Sequence, residues 1–265
     1  MQGHPLPASS TTRFETGILG RVWKSTVVEH HRLRHDLAVV RLIGDVVPFV
    51  AGQYVSVRVP QHPRVTRRLS PALPPSLDGK LEFHVRTVPA GWVSGTTVAE
   101  TTPGDVWEIT EPAGRLRIDD TGRDVVMIAG GTGLAPFRSL ILDVARRTDP
   151  PRVYLFIGGR SPRDLYASDM LSLLAGDLPW LTVVPVVEDL FDPPWKDEWY
   201  EQTKSDIGFT VDEVLQGTLG DVVSAHGAFA DHQVFVCGSP AMTRATIDRL
   251  TESGTPMENI RYDPW

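Results

Sequence analysis

Cysteine is nearly absent: Cys237 stands alone among 265 residues. That excludes an internal disulfide, a cysteine-based zinc site and an iron–sulfur cluster held by these residues' own thiolates. No metal site is expected, and any redox chemistry must draw on another cofactor. Basic charge is also short, with 26 Lys and Arg against 33 Asp and Glu and a net charge of -7. A nucleic-acid partner requires a dense cationic face, so none is expected, whereas a bound nucleotide needs only a local positive pocket. No apolar run reaches the length of a membrane span. The N-terminal MQGHPLPASSTTRFE lacks the basic stretch and apolar core of a secretory signal. These absences predict no membrane partner and a cytoplasmic location, with residues 1–15, rich in Pro, Ser and Thr, as a flexible tail.

What is present falls into two halves. Up to about Asp120, short alternating or β-branched runs (RVWKSTVVEHH, DLAVVRLI, YVSVRV, LEFHVRTV, DVWEIT) are punctuated by Pro and Gly, the pattern of an antiparallel barrel or sandwich. From Asp124 onward, apolar strands alternate with helical patterns: DVVMIAG then APFRSLILDVARR, RVYLFIG then SDMLSLLAG, LTVVPVV, and QVFVCG then PAMTRATIDRLTES. That alternation predicts a doubly wound parallel sheet with helices on both faces. The boundary falls near Thr121 to Asp124, giving domains 16–120 and 121–265. The segment Asp192 to Gly208, DPPWKDEWYEQTKSDIG, fits neither pattern and reads as an excursion, either a packed lid or a contact surface.

The chemistry begins with VVMIAGGTGLAP, a buried strand running into a glycine turn and then a helix from about Ala135 or Pro136. Gly130, Gly131 and Gly133 would let backbone N–H groups at the helix start face a phosphate, or would only let the chain pack closely. Both readings stand on this stretch alone.

Eight motifs in order add to it: AGQYVSV, RRLS, GWVS, EPAGRL, IAGGTGLAP, FIGGRSPRDLY, VFVCGSPAM and the final IRYDPW. Together they resemble the ferredoxin–NADP reductase superfamily over Gly20 to Trp265, with the nearest likeness to the reductase half of actinobacterial flavohaemoglobin-like proteins, without their globin. The resemblance implies an N-terminal six-stranded Greek-key flavin-binding barrel and a C-terminal α/β domain that binds a nicotinamide nucleotide. It also implies a flavin-dependent oxidoreductase that takes hydride from NAD(P)H onto FAD and passes electrons to a separate acceptor.

Residue by residue, the resemblance places Tyr54, Arg67, Leu69 and Ser70 at the flavin. Arg67 would meet its diphosphate, and Ser70 its reactive nitrogen. Leu69 stands where the family has an aromatic. His84, Val85 and Arg86 lie on the strand beside the flavin, and Gly91, Trp92, Val93 and Ser94 form the second phosphate turn, preceded by Ala90 where a glycine is frequent. Gly130, Gly131, Thr132, Gly133 and Pro136 would hold the donor's diphosphate; Cys237, Gly238 and Met242 would lie by the nicotinamide; Asp263 and Trp265 would stand near the flavin ring. Ser70, Cys237 and Asp263 are the catalytic candidates. Arg160 and Arg163 would suit a 2'-phosphate, and Glu188 and Asp189 a free ribose hydroxyl; the balance leans to NADH over NADPH.

The acceptor is unidentified, a haem or iron–sulfur protein being one class. Two other readings stand beside the reductase: a flavin- or nucleotide-binding module with little turnover, and an electron-transfer subunit that docks on such a partner.

Overall fold

Alternation in the first half becomes sheet. In β1 (Trp23–Arg34), Trp23, Ser25 and Val27 point inward while Lys24 and Thr26 are exposed. A computed structural model describes residues 21–88, 90–194 and 208–264. With β1, strands β2 (Leu37–Gly44), β3 (Tyr54–Arg58), β4 (Arg67–Leu69), β5 (Lys80–Arg86) and β6 (Val106–Ala113) form an antiparallel sheet in the order β4-β3-β6-β1-β2-β5. Pro71, just past β4, bridges Phe83 of β5, so the two edge strands meet and the barrel closes. Its interior is filled by Trp107, stacked on Phe83 at 5.8 Å, with Val27, Val40, Leu42, Val55 and Ile109 around them. Helix α1 (Trp92–Glu100) follows β5 and buries Val93, Thr97 and Val98.

The second half is a six-stranded parallel sheet: β7 (Val125–Gly130), β8 (Val153–Gly159), β9 (Leu181–Val187), β10 (Leu215–Gln216), β11 (Gln233–Cys237) and β12 (Ile260–Arg261). Helices α2 (Leu134–Val144), α3 (Ser168–Asp177), α4 (Leu219–Ala225) and α5 (Pro240–Glu252) connect and cover it. Its strands are continuously apolar because both faces are buried. Val125, Met127 and Ala129 of β7 share a core with Phe137 and Ile141 of α2, while Val126 and Ile128 join Val223 of α4 and Leu250 of α5.

The strand order is β10-β9-β8-β7-β11-β12, so the chain winds one way from β7 through β8 and β9 and the other way to β11 and β12. At such a reversal the carboxyl ends of the two central strands leave a crevice where ligands bind. Here those ends are Gly130 and Cys237. The barrel lies against α2: the Arg138 guanidinium donates to the Ala72 carbonyl (2.9 Å), and the Ser139 hydroxyl to the Leu73 carbonyl (2.9 Å).

The barrel and the doubly wound sheet are the two architectures implied by the sequence. Helix α2 starts at Leu134, slightly ahead of the expected Ala135 or Pro136, because a 3-10 turn over Gly131–Gly133 leads directly into it. Residues 1–15, Trp265 and most of the Asp192 to Gly208 excursion lie outside the described residues. Among the described residues, no helix is long and apolar enough to cross a membrane.

Candidate functional site

The glycines of the turn serve different ends. Gly131 sits at φ +54°, a conformation that disfavours side chains, and the space where a Cβ would project is bounded by the Arg86 guanidinium at 3.5 Å. Gly133 is a packing glycine: a Cβ there would lie 2.2 Å from the Cys237 carbonyl oxygen, so its absence lets the ends of β7 and β11 close together. No side chain caps the start of α2; the Leu134 N–H bonds back to the Gly131 and Thr132 carbonyls of the 3-10 turn, and Pro136 carries no N–H.

Above this turn lies a cleft of about 1200 Å³, walled by both domains and larger than the roughly 300–1,000 Å³ of a site for one small ligand. Arg67, Leu69, Ser70, His84, Val85, Arg86, Gly91, Val93 and Ser94 line the barrel side. Gly130 through Gly133, Pro136, Arg160, Cys237, Gly238 and Met242 line the other. Of the other expected site residues, Tyr54, Trp92 and Asp263 stand outside the lining. Tyr54 lies under the Arg68 guanidinium, 5.1 Å from its ring centre. Trp92 is exposed, with His62 edge-on to it at 4.4 Å.

On the barrel wall, Arg67 ends in the cleft and makes no ion pair among the described residues; its guanidinium donates to the Thr66 carbonyl at 3.0 Å. A planar, always-charged fork in that state suits a phosphate. Leu69 is half-buried and packs on the barrel core. The Ser94 hydroxyl is already engaged, accepting from the Val88 N–H (3.1 Å) and donating to the Gly91 carbonyl (3.0 Å), so it pins the turn that α1 starts from. Ala90 in that turn takes φ +61°, the only non-glycine with positive φ among the described residues.

His84 is held at both ring nitrogens, 2.7 Å from the Tyr166 hydroxyl and 3.1 Å from Glu82 Oε1. Glu82 is buried; desolvation pushes its carboxyl up, but hydrogen bonds from His84 and Arg41 and the charge of Arg138 outweigh that and hold it at about 2. Burial raises the Tyr166 hydroxyl far above its ordinary value, so it stays a donor. The network is therefore satisfied when Nε2–H donates to Glu82 and Tyr166 donates to Nδ1. His84 is a joint between the domains, with no ring nitrogen left for the cleft.

Arg34, Asp36, Arg86 and Asp164 form a second joint. The Arg34 guanidinium pairs with Asp164 and donates to the Arg163 carbonyl (3.2 Å); Arg86 reaches Asp36 at 2.9 Å and Asp164 at 3.3 Å. Burial raises the Asp164 carboxyl, but the Arg34 hydrogen bond and the two guanidinium charges win and lower it. Of these groups, Arg86, His84 and Arg163 are the sequence candidates. Arg34 and Asp164, 130 residues apart, carry no signal that would pair them.

At the other end of the cleft, burial pushes the Cys237 thiol up to about 12, with the charge of Asp263 adding to it. Asp263 accepts from the Arg115 N–H at 2.6 Å; burial raises its carboxyl against that bond. Of the ribose candidates, Arg160 and Glu188 line the cleft, and Glu188 is exposed to it. Arg163 is buried away from the lining, and Asp189 accepts from the Phe191 N–H.

A barrel whose wall carries Arg67, facing across one cleft the strand-order reversal of a doubly wound parallel sheet, is the two-domain arrangement of a flavin and pyridine-nucleotide oxidoreductase. The chain belongs to the ferredoxin–NADP reductase superfamily: residues 24–118 match the oxidoreductase FAD-binding domain and residues 127–248 the oxidoreductase NAD-binding domain. It is similar to the reductase component of phenol 2-monooxygenase from a Pseudomonas species, 34% identical over 209 residues, 78% of this chain and 54% of that one. Ferredoxin–NAD(P)+ reductase CarAd from Metapseudomonas resinovorans is 30% identical over 242 residues, 91% of this chain and 68% of its own length. The solved ferredoxin reductase of carbazole 1,9a-dioxygenase superposes with TM-score 0.74 at 28% identity, covering 94% of this chain and 70% of the other. A flavohaemoglobin from Malassezia yamatoensis, at 19% identity and TM-score 0.70 over 91% of this chain and 59% of its own, shares the fold. The chain spans 54% and 63% of the length of the first two curated relatives it matches.

Proposed function

We propose that this chain is an NAD(P)H-dependent flavoprotein reductase that passes electrons to a separate acceptor. One observation carries the reading: Arg67 and Ser70 on the barrel wall and the Gly130 to Gly133 turn with Cys237 opposite share one cleft. FAD bound there would accept a hydride from the nicotinamide and release electrons one at a time. Arg67 would hold the flavin's diphosphate, and Leu69 and Val85 would cover its ring. Ser70 would donate a hydrogen bond beside the reacting position. Backbone N–H groups after Gly131 would hold the donor's diphosphate, while Cys237, kept as a neutral thiol by burial, would pack where the nicotinamide lies. Catalysis of this kind is positioning, since a hydride moves only across a short, aligned gap.

The donor is NADH in this reading. Glu188 in the cleft can accept from a free ribose hydroxyl, and Arg163, one of the two cations suited to a 2'-phosphate, is turned away from it. The acceptor is an oxygenase or a ferredoxin: one relative is named as the reductase component of phenol 2-monooxygenase, and CarAd as a ferredoxin reductase. Domains of 16–120 and 121–265 and a cytoplasmic location complete the proposal.

The test is FAD-dependent reduction of ferricyanide with NADH and NADPH in parallel. Turnover that needs FAD and prefers NADH is expected. Flavin uptake without turnover would leave a binding module, and preference for NADPH would reverse the donor assignment.

A further inference from the structure

Glu82 and His84 are buried on β5, between the walls of the cleft, and each is held from the other domain. Arg138 of α2 pairs with Glu82 Oε1 at 2.9 Å, and the Tyr166 hydroxyl meets His84 Nδ1 at 2.7 Å with the two rings edge-on. Glu82 and His84 are themselves joined at 3.1 Å, so the four groups form one unit. Arg41 closes it from the barrel side, 2.7 Å from Glu82 Oε2. The Arg138 guanidinium also donates to the Ala72 carbonyl, while the Ala72 N–H donates to the Glu82 carbonyl at 2.8 Å.

The chain neighbours of this unit are the walls of the cleft. Val85 follows His84, and Ser70 shortly precedes Ala72; both line the barrel side. On the other side, α2 begins directly after the Gly131–Gly133 turn, and Tyr166 follows Arg160 on the loop after β8. Arg138, Tyr166 and Glu82 are not themselves part of the lining. His84 has both ring nitrogens bound and Glu82 both carboxylate oxygens, so a shift of either wall would leave a buried polar group unpaired.

We propose that Arg138 and Tyr166 are positioning residues for the hydride step: acting through Glu82 and His84, they fix the distance between the flavin wall and the two elements that carry the donor. This rests on the flavin and donor sites assigned above and adds what sets the gap between them. A misplacement of about 1 Å costs up to about a hundredfold in rate, so a tie that touches neither ligand can still govern the reaction.

Tyr166→Phe keeps the ring and removes only the hydroxyl. In the FAD-free full chain, amide hydrogen exchange in residues 80–86 should run about fivefold faster than in wild type, the effect of one lost hydrogen bond. In the FAD-loaded chain mixed anaerobically with NADH, the limiting rate of flavin bleaching should fall about tenfold. The NADH concentration that gives half that rate, and the affinity for FAD, should stay within about twofold of wild type. Should Tyr166→Phe fail to fold, Arg138→Gln decides by the same measurements, with changes in the same directions.

Unchanged exchange in residues 80–86 overturns the proposal, because the tie then holds nothing. Faster exchange with an unchanged limiting rate also overturns it and leaves the unit a structural joint alone. A raised half-saturating NADH concentration with the limiting rate intact would place the residue in donor binding, which contradicts a positioning role. If the wild-type chain takes up FAD and NADH does not bleach it, the reductase reading itself falls and takes the inference with it.

Discussion

Ala90 holds φ +61° in the turn that starts α1, where an L side chain is strained by about 1–2 kcal/mol. Ala90→Gly should raise stability by roughly 0.5 kcal/mol, the strain relieved less the entropy glycine returns to the unfolded chain, read as a higher denaturant midpoint. Gly133 is the opposite case. Gly133→Ala places a methyl 2.2 Å from the Cys237 carbonyl, an overlap of backbone that no rotamer relieves. It should cost about 2 kcal/mol or more and abolish ADP-ribose binding. Cys237, half-buried at the cleft with its thiol pushed up to about 12, should react more slowly with iodoacetamide near neutral pH in the folded protein than after unfolding. Intact mass follows both, and equal labelling rates for the folded and unfolded chain at about pH 8 would contradict the raised thiol. Sequence made the residue types at these positions legible. It did not separate Gly131, needed for its backbone angle, from Gly133, needed for contact, because that distinction depends on β11, about a hundred residues further on.

Among elements, the long periodic runs were the most legible. β1, β2, β5 and β7 and helices α2 and α5 fall within a residue or a few of their patterns, since each buries a continuous face. Short edge elements carried too few residues to show a period: β10 and β12 have two residues each and are fixed by their neighbours. The joint between β5 and the α/β domain was equally hidden, because Glu82 meets Arg138 and His84 meets Tyr166 only after both domains have folded. Glu82 gives this joint a measurable acid limb. Its folded carboxyl titrates at about 2, below the ordinary 4.5, so its stabilisation is whole above 4.5 and drains away as pH falls towards 2. Glu82→Gln should therefore flatten the loss of stability between about pH 5 and about pH 2.5, measured by thermal unfolding; an unchanged acid limb would contradict the pairing.

At the scale of the molecule, the order of barrel and doubly wound sheet was legible because the two halves bury their strands differently, one face in the first and both in the second. The cleft between them was legible only through resemblance, since neither half contains it. Its width, its mixed lining and the polar ties that cross it set how a flavin and a nicotinamide would approach each other. That approach is the central claim, and anaerobic titration of the FAD-loaded chain with NADH tests it most directly. One equivalent of NADH should bleach the flavin absorbance of one equivalent of protein, faster than NADPH does. Flavin bands left unbleached by either nucleotide would contradict it.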